Sequence, residues 1–216
     1  MLARASAWAA VRPPASEPDL EIETYRLRLR RWRDGDVAAY ARIIRDPEVM
    51  RLLGCGARYR AKRALASAAA AVSTIEARQA IARMERHWRA HGFGEWAVED
   101  KATGTLLGAV GLVHHADWVA DPADAEVGWL LATHAWGRGF ATEAGRASLE
   151  HAFGELGLAR LVSIARPANE RSVRVMQRLG LEYAGRTRWK GGPVVWYALD
   201  RAGWQRQIEA TRPCPG

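Results

Sequence analysis

A chain of 216 residues, 49% apolar and 26% charged, has the composition of one well-cored globular domain rather than of a disordered segment. No apolar run approaches the ~18–20 residues needed to cross a bilayer, and two cysteines, Cys55 and Cys214, make neither a disulfide framework nor a metal site. The formal charge of +8 is uneven: residues 145–216 hold 12 Lys and Arg against 6 Asp and Glu, the first 144 residues 20 against 18. A basic half fits an anionic ligand, either a polyphosphate cofactor or a nucleic acid. All but three of the 32 basic residues are arginine, however, a bias that coding composition also produces, so charge alone does not choose.

In chain order, residues 1–18 ("MLARASAWAAVRPPASEP") read as a loose leader rather than a secretory signal, and a single domain is expected over 19–210 with a tail at 211–216. Residues 20–32, "LEIETYRLRLRRW", alternate apolar and polar side chains and predict a strand with one buried face. Asp34-Gly35-Asp36 ends it, and Val37, Tyr40, Ile43 and Ile44 carry helical spacing up to Pro47. Residues 61–90 are alanine-rich and helical, with Ile81, Met84 and Trp88 on one side. "EWAVED" and "LLGAVGLVHH" then form a hairpin around Lys101–Gly104.

The strand "EVGWLLA" (126–132), a helix from about 141 to Glu155 and the strand "ARLVSIA" (159–165) make a crossover unit, so those strands should be parallel. Asn169 caps a helix that Gly180 ends, and "LEYAGRTRW" and "PVVWYALD" close the chain as two more strands. The whole is an α/β fold with seven strands and about four helices, without an internal repeat.

Between the strand and helix of the crossover lies "AWGRGFATEA" (135–144). Two glycines flank Arg138, and a glycine-rich turn feeding a helix start is suited to hold a phosphate. The chain has no G-x-x-x-x-G-K-[ST] motif, and Gly137-Arg138-Gly139 is too short for a dinucleotide fingerprint. The helix-turn-helix, zinc and RNA-binding signatures are missing as well, which disfavours nucleic acid as the anion.

The sequence resembles the GNAT N-acetyltransferases, within them the RimJ/RimL-like branch that acetylates protein N-terminal amines. The likeness is carried by "YRLRLRRW", "RDPEVMRLLG", "HGFGEWAVED", "LLGAVGLVHH", "AEVGWLLATHAWGRGFATEA" and "NERSVRVMQRLGLEYAGR", in that order. In the family's Q/R-x-x-G-x-G/A loop, Trp136, Gly139 and Ala141 fill the fixed places, tryptophan replacing glutamine or arginine.

The resemblance implies a mostly antiparallel sheet with a splayed parallel strand pair, and acetyl-CoA held in the opening without a metal. Trp129, Leu130, Leu131 and Ala132 would bind the pantetheine arm in the manner of an added strand. Trp136, Gly137, Arg138, Gly139, Phe140, Ala141 and Thr142 would hold the pyrophosphate, and Asn169 and Ser172 would approach the cofactor arm. It also implies an amine acceptor, with Trp32, Trp96, Trp118, Trp189 and Trp196 as candidate lining, a cytoplasmic setting and, as in many relatives, a homodimer.

Attack of an amine on a thioester needs a proton acceptor. Glu126, at the start of the strand beside the thioester, is the first candidate, since the matching acidic position serves in many relatives. His114 and His115 are the next, and as strand neighbours only one of them can face the site. Where many relatives place a tyrosine as acid, seven residues after the asparagine, this chain has Met176, which cannot donate. Ser172 is the substitute, with Tyr183 more distant, and a CoA thiolate can also leave without a dedicated acid. The missing tyrosine keeps a second reading open, a CoA-binding sensor with little turnover.

Overall fold

The computed structural model describes residues 20–52 and 69–211. The segment expected as one strand over 20–32 instead folds back on itself as a hairpin, β1 (Ile22–Glu23) and β2 (Leu27–Arg30), with Ile22 opposite Leu29. The cause is local. Thr24 N–H donates to Leu27 O at 2.9 Å while Leu27 N–H donates to Thr24 Oγ1 at 3.0 Å, and Tyr25 is left exposed at the tip. A side-chain oxygen that satisfies the backbone two or three residues on makes a turn the alternation cannot show.

Helices α1 (Asp36–Arg45), α2 (Pro47–Leu52) and α3 (Ala69–His91) follow, then the hairpin β3 (Glu95–Asp100) and β4 (Leu106–His114). The part of the alanine-rich expectation before Ala69, and Cys55 and Cys214, lie outside the described residues. β5 (Ala125–Leu131), α4 (Phe140–Glu150) and β6 (Arg160–Ala165) form the expected crossover. The last turn of the helix anticipated to reach Glu155 widens into a π turn over His151–Glu155. α5 (Glu170–Arg178), β7 (Glu182–Trp189), β8 (Gly192–Asp200) and α6 (Arg201–Thr211) complete the chain. Among the described residues the helices number six rather than about four, and α6 was not anticipated: Trp204 is its buried anchor, and Asp200 Oδ1 accepts the Gly203 N–H at 2.7 Å to start it.

The strands form one sheet in the order β1-β2-β3-β4-β5-β6-β8-β7, antiparallel except for β5 with β6. Two cores flank it. Val110 and Leu112 of β4 join Trp96, Val127, Phe140 and Met176 in the larger, beneath α4 and α5. Ala109 of the same strand joins Trp32, Tyr40, Ile44 and Ala77 in the smaller, beneath α1 and α3. β4 is therefore buried on both faces from Leu106 to Leu112, which is why it reads as an unbroken apolar run.

Candidate active site

β5 and β6 pair only through Ala125 with Leu161 and Glu126 with Val162. From Val127 to Leu131 the edge of β5 that faces β6 has no partner strand, and a cavity of about 270 Å³ opens beside it. Unpaired strand edges carry a row of N–H and C=O groups, so an extended ligand can be received there as another strand. At its far end the cavity meets the glycine loop and the start of α4. Gly137 and Gly139 take φ of 74° and 81°, the left-handed region open chiefly to glycine, and Gly139 caps the helix from that conformation. The loop N–H groups and the positive end of α4 thus point at one place, the arrangement that binds phosphate.

Of the residues proposed for the cofactor, Trp129, Leu130, Leu131, Trp136, Gly137, Gly139, Phe140, Ala141, Thr142, Asn169 and Ser172 all line this cavity. Two do not. Ala132 packs in the smaller core and gives its N–H to Leu107 O at 2.8 Å. Arg138 lays its guanidinium 4.6 Å from the centroid of Phe140, while its carbonyl accepts from Arg26 Nη1 at 2.9 Å.

Glu143, in the first turn of α4, belongs to the same scaffold. Its carboxylate accepts from Thr24 Oγ1 and from Arg26 N and Nε at 2.6–2.8 Å, which pins the glycine loop to the β1–β2 hairpin. Trp136, standing where relatives carry glutamine or arginine, donates its indole N–H to Leu131 O at 2.8 Å and supports the Arg171 guanidinium 5.0 Å from its ring centroid.

Sequence reasoning missed the cations. Arg171, Arg174 and Arg178 of α5 all reach the cavity wall. Their spacing of three and four residues was a legible stripe on one helical face. The Asn169 side chain caps α5 by accepting the Ser172 N–H at 3.2 Å, and its Nδ2 donates to Leu52 O, tying α5 to the end of α2 across the cavity. Met176 is fully buried in the larger core, so its position offers no acid. Tyr183 lies exposed on the edge strand β7, outside the cavity.

At the closed end of the splay, Glu126 Oε2 and His115 Nε2 are 2.6 Å apart, both side chains 17% exposed. The first and second candidates for the proton acceptor are therefore one hydrogen-bonded unit. Lys190 Nζ stands 3.3 Å from His115 Nδ1 and 3.9 Å from the Trp189 ring centroid. Glu126 and Lys190 thus flank the two ring nitrogens of His115. Lys190 and Gly191 make the two-residue turn between β7 and β8, both at positive φ (45° and 79°). A lysine held in that strained region turns its side chain back toward His115.

His114 points elsewhere, as strand neighbours must. Its N–H donates to His87 Nε2 at 2.9 Å, and its ring meets Pro122 O at 2.8 Å. Burial pushes His87 down to about 4, so it stays neutral and holds this corner as structure.

Three of the five tryptophans proposed for the acceptor are core residues instead: Trp96 and Trp118 are fully enclosed, and Trp32 is buried with its indole N–H on Glu95 O at 2.9 Å. Trp189, edge-on to His115, and Trp196 remain half-buried on that side. Among the described residues no group of three His, Cys, Asp or Glu could hold a metal ion, and no helix is long and apolar enough to cross a membrane.

Residues 26–182 match the acetyltransferase (GNAT) domain, and the chain belongs to that family of N-acetyltransferase enzymes. It is similar to the uncharacterised protein YkkB of Bacillus subtilis strain 168, 29% identical over 178 residues that cover 82% of this chain and 94% of that one. A similar likeness, 29% over 164 residues, covers 76% of this chain and 84% of the uncharacterised N-acetyltransferase YoaA of the same organism. Among solved structures, the acetyltransferase from Agrobacterium tumefaciens strain C58 superposes with a TM-score of 0.66 at 25% identity, over 83% of this chain and 94% of that one. The ribosomal-protein-S5-alanine acetyltransferase from Vibrio fischeri shares the fold (TM-score 0.61, 18% identity, 86% and 99% covered).

Proposed function

We propose that this protein transfers the acetyl group of acetyl-CoA to a primary amine, by direct attack with both substrates bound. The observation that carries the reading is the cavity along the unpaired edge of β5, which runs from the glycine loop along Leu131, Leu130 and Trp129. Its shape suits a long, flexible arm with an anionic end. The unpaired backbone takes the arm, the glycine loop and helix start take the pyrophosphate, and Arg171, Arg174 and Arg178 supply cations to the remaining phosphate charge. The thioester would then lie where β5 and β6 part, near Glu126 and His115.

In this reading the amine nitrogen attacks the thioester carbonyl and the Glu126–His115 unit receives a nitrogen proton. Backbone N–H groups freed at the splay face the developing oxyanion. Ser172 reaches the cavity wall and can return a proton to the sulfur. The acceptor is a protein N-terminal α-amine or a small-molecule amine, read on the side of Trp189 and Trp196.

Calorimetric titration with acetyl-CoA, paired with thiol release across N-terminal peptides, polyamines and aminoglycosides, tests this directly. Wild-type protein is expected to bind acetyl-CoA and to turn over one acceptor class. Gly139→Glu is expected to bind none, since its side chain must sit at φ 81° with Cβ only 3.3 Å from Arg26 Nη2. Absence of binding by wild type would sink the reading. Binding without turnover of any amine would favour the sensor instead.

A further inference from the structure

On the face of the sheet that carries Glu126, a second carboxyl group stands without a hydrogen-bond partner among the described residues. Glu95 opens β3, directly opposite Gly111 of β4, which is in turn opposite Gly128 of β5. Two glycines in register leave no side chain between Glu95 and the strand of Glu126. A Cβ built on Gly128 would meet nothing within 4 Å, so the floor between them is open space. That trough continues along β5 to Leu130, which lines the cavity proposed for the cofactor.

Glu95 is fixed through its backbone: its carbonyl accepts from Trp32 Nε1 at 2.9 Å and from Trp88 Nε1 at 3.2 Å. Its carboxyl group has no such partner. Among the described residues nothing donates a hydrogen bond to it and no cation lies within ion-pair distance. The groups that face it are Tyr40 from α1, Arg83 from α3, His115 after β4, Glu126 from β5 and Lys190 from the β7–β8 turn.

We propose that Glu95 is a second proton acceptor of this site, taking the proton that an incoming ammonium must lose before its nitrogen can attack. The inference rests on the acetyl-transfer reading above and assigns the acceptor side of the same site to a cationic primary amine.

Proton counting supports two acceptors. A primary amine enters as R–NH₃⁺ and leaves as R–NH–CO–CH₃, so nitrogen gives up two protons. The first must go before attack, freeing the lone pair. The nitrogen–carbon bond then forms as the carbonyl π pair moves to oxygen; that pair returns to re-form the C=O as the carbon–sulfur bond breaks with its pair on sulfur. The second proton leaves nitrogen as the amide forms. One of the two ends on the thiolate and the other in water.

The two carboxylates suit different steps. The Glu126 carboxylate is already engaged by His115, with Lys190 on the far side of that ring. After attack the nitrogen is far more acidic than an ammonium, so a weak base suffices there. Among the described residues Glu95 has no donor on its carboxyl group. Burial pushes its carboxyl up to about 7, and the charge of Glu126 adds to the rise. A base whose affinity lies near the working pH is best matched to removing the first proton.

The test is kcat/KM against pH for full-length wild type, Glu95→Gln and Glu95→Asp, with acetyl-CoA and the primary amine found active in the panel above, and with acetyl-CoA affinity measured for each by calorimetry. Wild type is expected to lose activity below about 7 on a limb belonging to Glu95. Glu95→Gln should lose that limb and ~10²-fold in kcat, the scale of one general base, with acetyl-CoA affinity within about twofold of wild type. Glu95→Asp should restore the limb at reduced rate. An unchanged limb in Glu95→Gln overturns this inference and leaves the transferase reading standing. Failure of wild type to bind acetyl-CoA or to acetylate any amine overturns that reading, and this one with it.

Discussion

Glu95 and Glu99 lie four residues apart on β3 and look alike in "EWAVED", yet their surroundings are opposite. Glu99 faces Arg28 across the β2–β3 ladder. Its carboxylate accepts from Arg30 Nε at 2.9 Å, while Arg30 makes a two-pronged bond to Asp36 at 2.8 and 2.9 Å. All three residues are buried, and every charge is matched. The pairing of β2 with β3 stops at Arg30 with Ala97, so Glu95 lies beyond the arginine-bearing strand and beside glycines. A buried carboxylate that has its donors holds the fold together. One left without them is held ready for a proton from elsewhere.

The largest effect should come from breaking the matched cluster. Asp36→Ala leaves the Arg30 guanidinium buried beside one carboxylate instead of two, and it also removes the acceptor of the Arg33 N–H at 2.8 Å. Loss of one partner from a buried ion pair costs about 3–5 kcal/mol. Thermal denaturation should register it as a midpoint lower by roughly 10 °C. Rates per folded molecule should be those of wild type. A loss of rate without loss of stability would show that the cluster serves the site after all.

The converse holds at Glu126. Glu126→Gln should reduce kcat by ~10²–10³, about 3–4 kcal/mol in the barrier, with the denaturation midpoint within a few degrees of wild type. Full activity would mean that Glu95 receives both protons and that the Glu126–His115 bond only shapes the pocket.

Much of this was legible in the sequence where the signal is local. The crossover, the Asn169 cap, the Gly180 stop and the glycine loop each depend on neighbours within a few residues, and the structure has them where the pattern put them. The β1–β2 turn escaped because one Thr24 side chain overrides an alternation that fits a single strand. α6 escaped because, among the described residues, Trp204 is its one buried apolar side chain, although Asp200 was a readable start signal.

At the site, the cavity-lining loop followed from spacing and resemblance. The role of Glu95 could not, because it depends on which strand ends where and on glycines two strands away. The tryptophans misled for the same reason: Trp96 and Trp118 carry nothing in sequence that separates a core position from a pocket wall.

Filling the trough separates the two regions further. Gly128 has ordinary extended backbone and open space above it, so Gly128→Val should fold normally. Its side chain would stand between Glu95 and the acceptor amine. The KM for the amine should rise ~10–100-fold, about 1–3 kcal/mol, while acetyl-CoA affinity by calorimetry stays put. Equal weakening of both substrates would place the acceptor elsewhere.

The smallest effect is the most direct measure of the contrast along β3. Glu95 binds its proton more tightly in the folded protein, up to about 7, than in the unfolded chain, where an ordinary glutamate titrates near 4.5. Below about 4.5 the group is protonated in both states and contributes nothing to the difference. As pH rises from there to about 7 the unfolded chain releases the proton first, so the folded state loses stability through that window, and the loss is complete above it. A rise from 4.5 to about 7 corresponds to at most about 3 kcal/mol, and the group's partial exposure reduces it through solvent screening. Denaturant melts of wild type and Glu95→Gln at intervals between pH 4.5 and 8 should therefore diverge, the glutamine variant becoming the more stable as pH rises. Taking the difference cancels the other titrating groups that both proteins share. Parallel curves would mean that Glu95 has a hidden donor and belongs with Glu99 among the structural carboxylates.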